Sequence, residues 1–243
     1  MYQMKDKVAL VVGGAKGIGL AVAKRLAAEG AAVFFTGRAA DQVKAAAAEI
    51  GHGATGLVAD AGSPQDLQRV VSAVRDAHGR LDALVLNAGL SEPAAFAEIT
   101  GDLFDRHFAV NVRSAVYGLN AAIDTLREGA SVVLMGSVAG SIAVENYSTY
   151  AATKAALRSY ARTWAVELAP RGIRVNVVSP GPTDTEMMAR VPADARAALI
   201  APIPLSRMAR PDEVAAAALF LLSDEASFTT GAELFVDGGM GQA

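Results

Sequence analysis

The chain has no cysteine among its 243 residues. This absence excludes disulfide bridges, thiolate metal sites and cysteine nucleophiles, and it fits a reducing compartment. The three histidines, His52, His78 and His107, are spread along the sequence and do not have the spacing of metal ligands. We therefore expect neither a metal site nor thiol chemistry.

An excess of charge of one sign is also missing. The 22 lysines and arginines and the 25 aspartates and glutamates leave a net charge of −3, and both signs are scattered along the chain. A protein that binds nucleic acid needs clustered cations to neutralise phosphates. We therefore expect no nucleic-acid partner.

Long hydrophobic runs are absent as well. Lys5, Asp6 and Lys7 precede a short apolar run that stops at Gly13. This stretch has neither the core of a signal peptide nor the ~20 apolar residues of a transmembrane helix. We expect a cytoplasmic protein without a membrane segment.

What is present is a high content of apolar residues in alternating strand-like and helix-like segments. Hydrophobic residues make up 52% of the chain, enough to bury a large core in one domain over residues 1–243. Residues 8–12 form a continuous apolar run, typical of a strand buried on both faces of a parallel sheet. A helix at 20–29 and a strand at 32–36 complete a βαβ unit. The pattern predicts an α/β fold with a doubly wound, mostly parallel sheet between two layers of helices.

The same criteria place the remaining elements. Further strands are predicted at 57–59, 84–86, 131–135, 173–178 and 231–236. Helices are predicted at 41–50, 64–78, 102–127 and 147–168, with a last helix opening at Pro211.

Tyr150 and Lys154 are the first candidates for chemistry. Residues four apart on a helix share a face, so the phenol and the ammonium group would lie side by side. A nearby cation favours the phenolate, which would let Tyr150 exchange a proton with a substrate oxygen, while the hydroxyl of Ser137 could hold that oxygen. The spacing alone is weak, because about one tyrosine in twenty has lysine at this position by chance and the chain has five tyrosines.

A glycine-rich turn lies between the first strand and the first helix. Its glycines would let the backbone approach a pyrophosphate at the positive end of the helix. A plain tight loop is the alternative. The glycines that define the turn are Gly13, Gly17 and Gly19.

Together these motifs resemble the short-chain dehydrogenase/reductase family from Lys7 to Gly239. The shared features are the GxxxGxG turn, Asn87-Ala88-Gly89 after an apolar run, Asn111 between two valines, and Ser137 thirteen residues before Tyr150. Two positions depart from the family pattern: Val12 replaces a threonine before the glycine turn, and Leu86 replaces the first asparagine of Asn-Asn-Ala-Gly. The first departure puts local hydrogen bonding in doubt.

The resemblance implies a single-domain Rossmann-type sheet of seven strands in the order 3-2-1-4-5-6-7, and a homotetramer. It also implies a catalytic set in which Tyr150 donates a proton to a carbonyl oxygen and Ser137 holds that oxygen. Lys154 would lower the tyrosine pKa and bind the ribose, and Asn111 would position a water in a proton relay. A solvent-facing Asn111 is the alternative.

The implied cofactor is NADP(H). A carboxylate at the end of the second strand would repel a 2′-phosphate, but that position is Gly37, and the adjacent Arg38 and Lys16 of the glycine turn could bind the phosphate. Asp60 would meet the adenine ring, with a cap on the turn before Pro64 as the alternative. The further residues assigned to the cofactor are Gly13, Gly17, Ile18, Gly19, Asn87, Ala88, Gly89, Tyr150, Lys154, Pro180, Gly181, Thr183 and Thr185.

A substrate lid is predicted at about residues 182–209. Five of the nine prolines lie between Pro180 and Pro204, and long proline-broken segments in compact domains are often binding loops. The apolar residues that could form its underside are Met187, Met188, Leu199 and Ile203.

These features favour an NADPH-dependent oxidoreductase that interconverts ketones or aldehydes and alcohols, with an apolar, bulky substrate. The alternative is a 3-oxoacyl-carrier-protein reductase, which would need cations such as Arg127 and Arg171 to bind its acidic carrier. A non-catalytic NADPH-sensing regulator is less consistent with the sequence, because a sensor does not need Ser137, Tyr150 and Lys154.

Overall fold

Continuous apolar segments form a central sheet of seven parallel strands. The structure, a computed structural model, describes residues 4–186 and 188–241. The strand order is β3-β2-β1-β4-β5-β6-β7. The strands are β1 Val8–Val12, β2 Ala32–Gly37, β3 Thr55–Val58, β4 Leu81–Leu86, β5 Leu126–Met135, β6 Arg174–Pro180 and β7 Glu233–Val236.

Helices cover both faces of this sheet. They are α1 Gly17–Ala28, α2 Ala40–Ile50, α3 Pro64–His78, α4 Gly101–Phe108, α5 Ser114–Ala122, α6 Ser148–Leu168, α7 Ala193–Ile200 and α8 Pro211–Leu222. None of the helices in the described part of the chain is long and apolar enough to cross a membrane.

Side chains along β1 alternate between two separate cores. Ala9 and Val11 pack with α1, α2 and α8 on one face, whereas Val8, Leu10 and Val12 pack with α3, α5 and α6 on the other. All five residues are buried, which explains why the strand is apolar throughout instead of alternating. The predicted doubly wound fold and strand order are confirmed.

The predicted helix at 102–127 is wrong in its extent. Helix α4 ends at Phe108, a π-helical turn spans Ala109–Arg113, and α5 ends at Ala122. Leu126 and Arg127 belong to β5, where Leu126 is buried opposite Leu81 and the Arg127 guanidinium contacts the buried carboxylate of Asp82. The first residues of β5 carry a mixture of apolar and charged side chains similar to that of α5. For this reason the predicted helix extended beyond the true end of α5.

The segment predicted as a lid contains more regular structure than expected. A short 3₁₀ turn spans Met188–Arg190, and α7 follows Pro192. Met187 lies outside the described residues. The carboxyl ends of β1, β4, β5 and β6 all point toward the side of the sheet from which this segment extends, so the candidate site residues gather there.

Candidate active site

The turn after β5 brings Ser137 to helix α6. Ser137 begins a 3₁₀ turn at Val138–Gly140, and its Oγ accepts a hydrogen bond from the backbone N–H of Ala139 at 3.2 Å. A Cβ on Gly140 would lie 3.0 Å from the backbone of Lys154 and Ala155. The turn therefore packs directly on α6, and a larger residue at position 140 would force the helix backbone to give by a few tenths of an ångström.

Ser137 lies close enough to Tyr150 for its hydroxyl to act on the pKa of the phenol. Tyr150 is partly exposed to solvent, yet burial of its ring raises the pKa of the phenol, and the hydroxyl of Ser137 acts in the opposite direction. Sequence reasoning predicted that Lys154 would lower this pKa; the net shift is upward, and the contribution of the lysine stays a prediction. The Nζ atom of Lys154 lies 5.7 Å from the centroid of the tyrosine ring, and desolvation is the stronger effect.

Lys154 is itself buried, with 5% of its surface exposed. Its Nζ donates a hydrogen bond to the carbonyl oxygen of Met135 at 2.7 Å, and no carboxylate among the described residues forms an ion pair with it. Burial lowers the pKa of Lys154 from 10.5 to about 8. The ammonium group can therefore lose and regain its proton near neutral pH.

Asn111 lies in the π-helical turn and is buried. Its Oδ1 accepts from the N–H of Leu90 at 2.7 Å, and its Nδ2 donates to the carbonyl of Leu90 at 2.9 Å and to Thr153 Oγ1 at 3.0 Å. A solvent-facing asparagine is thereby excluded. The amide fastens the loop after β4 to α6.

Thr153 is a residue of the site that sequence reasoning missed. Its hydroxyl donates to the carbonyl oxygen of Tyr150 at 2.6 Å while accepting from Asn111, so it connects Asn111 to the backbone that carries the phenol. The feature of the sequence that could have identified Thr153 is its position three residues after Tyr150.

The glycine turn packs tightly against the end of β4. Gly13 has φ of +82°, and a Cβ there would lie 2.9 Å from the amide nitrogen of Ala88. A Cβ on Gly19 would lie 2.1 Å from the carbonyl oxygen of Gly13. The Nδ2 of Asn87 donates to that same oxygen at 2.7 Å. The turn and the Asn87–Gly89 segment thus form one unit, as their motifs suggested.

Val12 has no hydroxyl that could bind the glycine turn, but Thr36, at the end of β2, supplies one. The N–H of Gly13 donates to Thr36 Oγ1 at 2.9 Å, and the N–H of Gly14 donates to the Thr36 carbonyl at 2.9 Å. Sequence reasoning flagged the loss of a hydroxyl at Val12 but did not find this partner, because β1 and β2 meet only in the folded sheet.

Lys16 and Arg38 flank a contact between the glycine turn and β2. Both are exposed, and within the described chain neither side chain has a hydrogen bond or ion pair. A Cβ on Gly37 would lie 2.6 Å from the Cβ of Ala15. Packing therefore requires glycine at position 37. This steric requirement is a second reason why an acidic residue is absent there.

The remaining cofactor candidates include the first residues of the lid segment, one of which lies next to the glycine turn. Thr185 lies 3.5 Å from the point where a Cβ on Gly17 would stand, so the start of the lid segment faces the glycine turn. Gly181 packs on Asp237, and Thr183 Oγ1 donates to the Gly181 carbonyl at 2.9 Å. Pro180 ends β6, and Ile18 is partly buried against the core.

Asp60 has the turn-capping role that the sequence left open. Its Oδ1 accepts from the N–H of Gly62 at 2.9 Å, and the following Ser63 caps helix α3 by accepting from the N–H of Asp66 at 3.2 Å. The carboxylate of Asp60 is exposed at the end of β3.

The arrangement can transfer a proton but has no metal ligands. Within residues 4–186 and 188–241, no group of three histidine, aspartate or glutamate side chains could hold a metal ion. A phenol that lies close to a serine hydroxyl and beside a buried lysine is suited to exchanging a proton with a substrate oxygen.

Comparison with known proteins agrees with this geometry. The family model described as "Enoyl-(Acyl carrier protein) reductase" matches residues 13–241. The chain is 40% identical over 247 residues to a cyclopentanol dehydrogenase of Comamonas testosteroni, covering 98% of each chain. It is 35% identical over 239 residues to a 3-oxoacyl-acyl-carrier-protein reductase of Salmonella typhi, covering 97% of this chain and 98% of that one.

A solved structure shows the same architecture. The short-chain dehydrogenase/reductase from Serratia marcescens BCRC 10948 superposes with a TM-score of 0.94 at 36% identity, covering 99% of this chain and 100% of that one.

The burial of Lys154 predicts a pH-dependent stability. Below pH 8 the folded protein carries a buried charge, whereas between about 8 and 10.5 the unfolded chain binds a proton that the folded chain does not, so stability rises with pH. Relative to Lys154→Met, wild type should gain about 3 kcal/mol of unfolding free energy across this range. Urea unfolding of both proteins at several pH values measures the difference. Parallel pH profiles would contradict the burial of the charge.

Proposed function

The chain belongs to the short-chain dehydrogenase/reductase family, and we propose that it catalyses the reversible, NADPH-dependent reduction of ketones and aldehydes to alcohols. Family membership makes it an oxidoreductase that acts on CH–OH groups. The observation that carries the proposal is the position of Tyr150 beside the buried Lys154, with the hydroxyl of Ser137 close to the phenol.

In the proposed mechanism Ser137 and Tyr150 both bind the carbonyl oxygen of the substrate. The nicotinamide, when bound, supplies the hydride. Tyr150 donates its proton to the oxygen, and Ser137 donates a hydrogen bond that holds the oxygen in place. Lys154 binds the ribose hydroxyls. Asn111 keeps the loop after β4 against α6 and positions a water in the path by which the tyrosine regains its proton.

The cofactor would lie along the carboxyl edge of the sheet. The pyrophosphate would bind the N–H groups of the glycine turn at Gly13, Gly17, Ile18 and Gly19, and Lys16 and Arg38 would bind the 2′-phosphate. Both cations are exposed and without partners in the described chain, so they are available for this role. Asp60 would meet the adenine. The residues proposed to contact the ribose and carboxamide are Asn87, Ala88, Gly89, Pro180, Gly181, Thr183 and Thr185.

An apolar, bulky substrate is supported by the residues around the site. The ring of Tyr147 lies 6.2 Å from that of Tyr150 in an edge-to-face arrangement and could form one wall. Met188 and Leu199 of the lid segment are partly buried, whereas Ile203 is fully packed under the C-terminal turn at Gly238. The cyclopentanol dehydrogenase among the relatives is named for a cyclic alcohol.

Reduction of a 3-oxoacyl group on a carrier protein is the second candidate, favoured by the Salmonella relative. The contacts of the two arginines that would bind an acidic carrier argue against this reaction. Arg127 contacts the buried Asp82, and Arg171 donates to the carbonyl oxygens of Ile123 and Leu126. Both guanidinium groups thus support the fold. A non-catalytic regulator is disfavoured because the serine, tyrosine and lysine are arranged for proton transfer.

A homotetramer is proposed from family membership and from exposed apolar side chains on the helices. Large hydrophobic side chains at a surface commonly mark a protein interface. The exposed side chains of this kind on α4, α5 and α6 are Phe104, Tyr117, Tyr160 and Val166.

Tyr150→Phe tests the proposed proton donor. The variant keeps the ring and deletes the hydroxyl, so turnover should fall by about 10² to 10⁴ while the Kd of NADPH changes by less than about threefold. Single-turnover reduction followed by NADPH absorbance, with a fluorescence titration of the cofactor, measures both. Near-normal turnover by this variant would disprove the role of Tyr150.

A substrate series distinguishes the two candidate reactions. If the pocket is apolar and large, kcat/KM should rise from acetone to cyclopentanone to aryl-alkyl ketones, because each buried methylene contributes about 0.8 kcal/mol. Acetoacetyl thioesters of carrier protein and of a short pantetheine chain serve as the comparison. A preference for acetone, or a strong preference for the carrier-linked substrate over all ketones, would contradict the proposal.

Lys16 and Arg38 should determine the preference for NADPH. Replacing Lys16 by Ala and Arg38 by Leu together should lower kcat/KM for NADPH by about a hundredfold to ten-thousandfold, because charge-assisted bonds contribute ~1.5–3 kcal/mol each. The value for NADH should change little. An acid at Gly37 is avoided, because its Cβ would collide with Ala15. Lys24→Gln, which removes an exposed cation on α1, is the control. Equal kcat/KM of wild type for the two cofactors would show that neither cation binds the phosphate.

A further inference from the structure

An arginine and a glutamate that the proposed mechanism does not use lie behind the turn that carries Ser137. Arg158 is on α6, one helical turn after Lys154, and Glu233 is the first residue of β7. Arg158 Nη1 donates to Ser141 Oγ at 2.6 Å and lies 3.4 Å from Glu233 Oε2. The side chain of Glu233 is 13% exposed and that of Arg158 is 30% exposed.

Ser141 closes the turn that Ser137 opens. The N–H of Gly140 donates to the carbonyl of Ser137 at 2.9 Å, and the N–H of Ser141 donates to the carbonyl of Val138 at 2.9 Å. Because these bonds make the turn a compact unit, a shift of Ser141 is transmitted to Ser137. The contact from Arg158 therefore fixes the far end of this unit against α6.

The carboxylate of Glu233 also reaches the near end of the turn. Its Oε1 accepts from the buried Ser179 Oγ at 2.7 Å and lies 3.5 Å from Ser141 Oγ. A Cβ on Gly136 would lie 2.4 Å from Ser179 Oγ, so Ser179 contacts the residue that precedes Ser137. One carboxylate thus connects to both sides of the 136–141 segment.

We propose that Arg158 and Glu233 are positioning residues that hold the hydroxyl of Ser137 in place beside Tyr150. The inference rests on the proposed function, since it assigns these residues to the same reaction. Neither residue touches the substrate oxygen in this role. A displacement of about 1 Å in a group that orients a substrate can lower the rate by about a hundredfold, which gives such a remote pair a measurable effect.

The alternative is a purely structural ion pair. Partly exposed ion pairs contribute little to stability, and α6 is a helix of 21 residues with extensive internal hydrogen bonding. A structural role would change the melting temperature or affect all steps equally. A positioning role would change the catalytic step through Ser137 alone.

A double-mutant cycle separates these roles. Arg158→Gln should lower kcat by about tenfold to a hundredfold, with the Kd of NADPH and the melting temperature close to wild type. In a Ser137→Ala background the same change should lower kcat by less than about twofold, because the group that Arg158 positions is already gone. Additive losses in the two backgrounds would overturn the proposal.

The pH profile gives a second readout. Since the hydroxyl of Ser137 lowers the pKa of Tyr150, a displaced Ser137 should move the apparent pKa for alcohol oxidation upward. Ser141→Ala, an exposed and conservative change, should produce the same shift, and Arg158→Lys should restore part of kcat. An unchanged pH profile in both Arg158→Gln and Ser141→Ala would reject the proposal.

Two controls make the outcomes distinct. Lys24→Gln breaks an exposed ion pair with Glu49, formed at 2.9 Å between α1 and α2, and should leave kcat unchanged. A wild-type protein that reduces no ketone or aldehyde would overturn the proposed function and this inference with it. A wild-type enzyme that is active, with variants showing additive effects, would overturn only the positioning role.

Discussion

The buried ammonium group of Lys154 is the constraint on which the site depends. Taking a charge out of water is costly, and here only one carbonyl oxygen, that of Met135, accepts a hydrogen bond from Nζ among the described residues. That bond joins α6 to the carboxyl end of β5, where the Ser137 turn begins. The phenol of Tyr150 lies one helical turn away on the same face. The position of the lysine thus determines where the tyrosine and the serine can meet, and its lowered pKa follows from the same burial.

Close backbone contacts then fix the parts of the site relative to one another. Gly140 places the Ser137 turn on α6, and Gly13 and Gly19 place the glycine turn on the end of β4. A Cβ would lie 2.9 Å from a backbone atom at Gly13, 2.1 Å at Gly19 and 3.0 Å at Gly140, so the neighbouring backbone would have to shift to admit it. These close contacts hold the elements of the site in fixed relative positions. Such preorganisation favours catalysis, since less ordering is required when the substrate binds.

Contacts from elsewhere in the fold support the residues that carry the chemistry. Thr36 gives the glycine turn a hydroxyl that Val12 lacks, and Thr153 connects Asn111 to the backbone of Tyr150. The pair of Arg158 and Glu233 lies behind the Ser137 turn in a similar way. Each of these contacts connects segments that are far apart in the sequence. A substitution in the family motif can therefore be compensated by a neighbour in space.

The sequence by itself determined the doubly wound sheet, because strands buried on both faces must be apolar throughout and the helices between them have a different period. It also predicted that Ser137, Tyr150 and Lys154 belong to one site, since local spacing and family motifs are properties of the chain. The extent of the helix before β5 was decided by the fold: Arg127 belongs to a strand because it meets Asp82, which lies far from it in sequence. Only the tertiary structure decided the direction of the Tyr150 pKa shift, the partner of Gly13 and the surroundings of Asn111. Desolvation and hydrogen bonds between distant segments depend on what packs around a group, and the order of residues does not specify those neighbours.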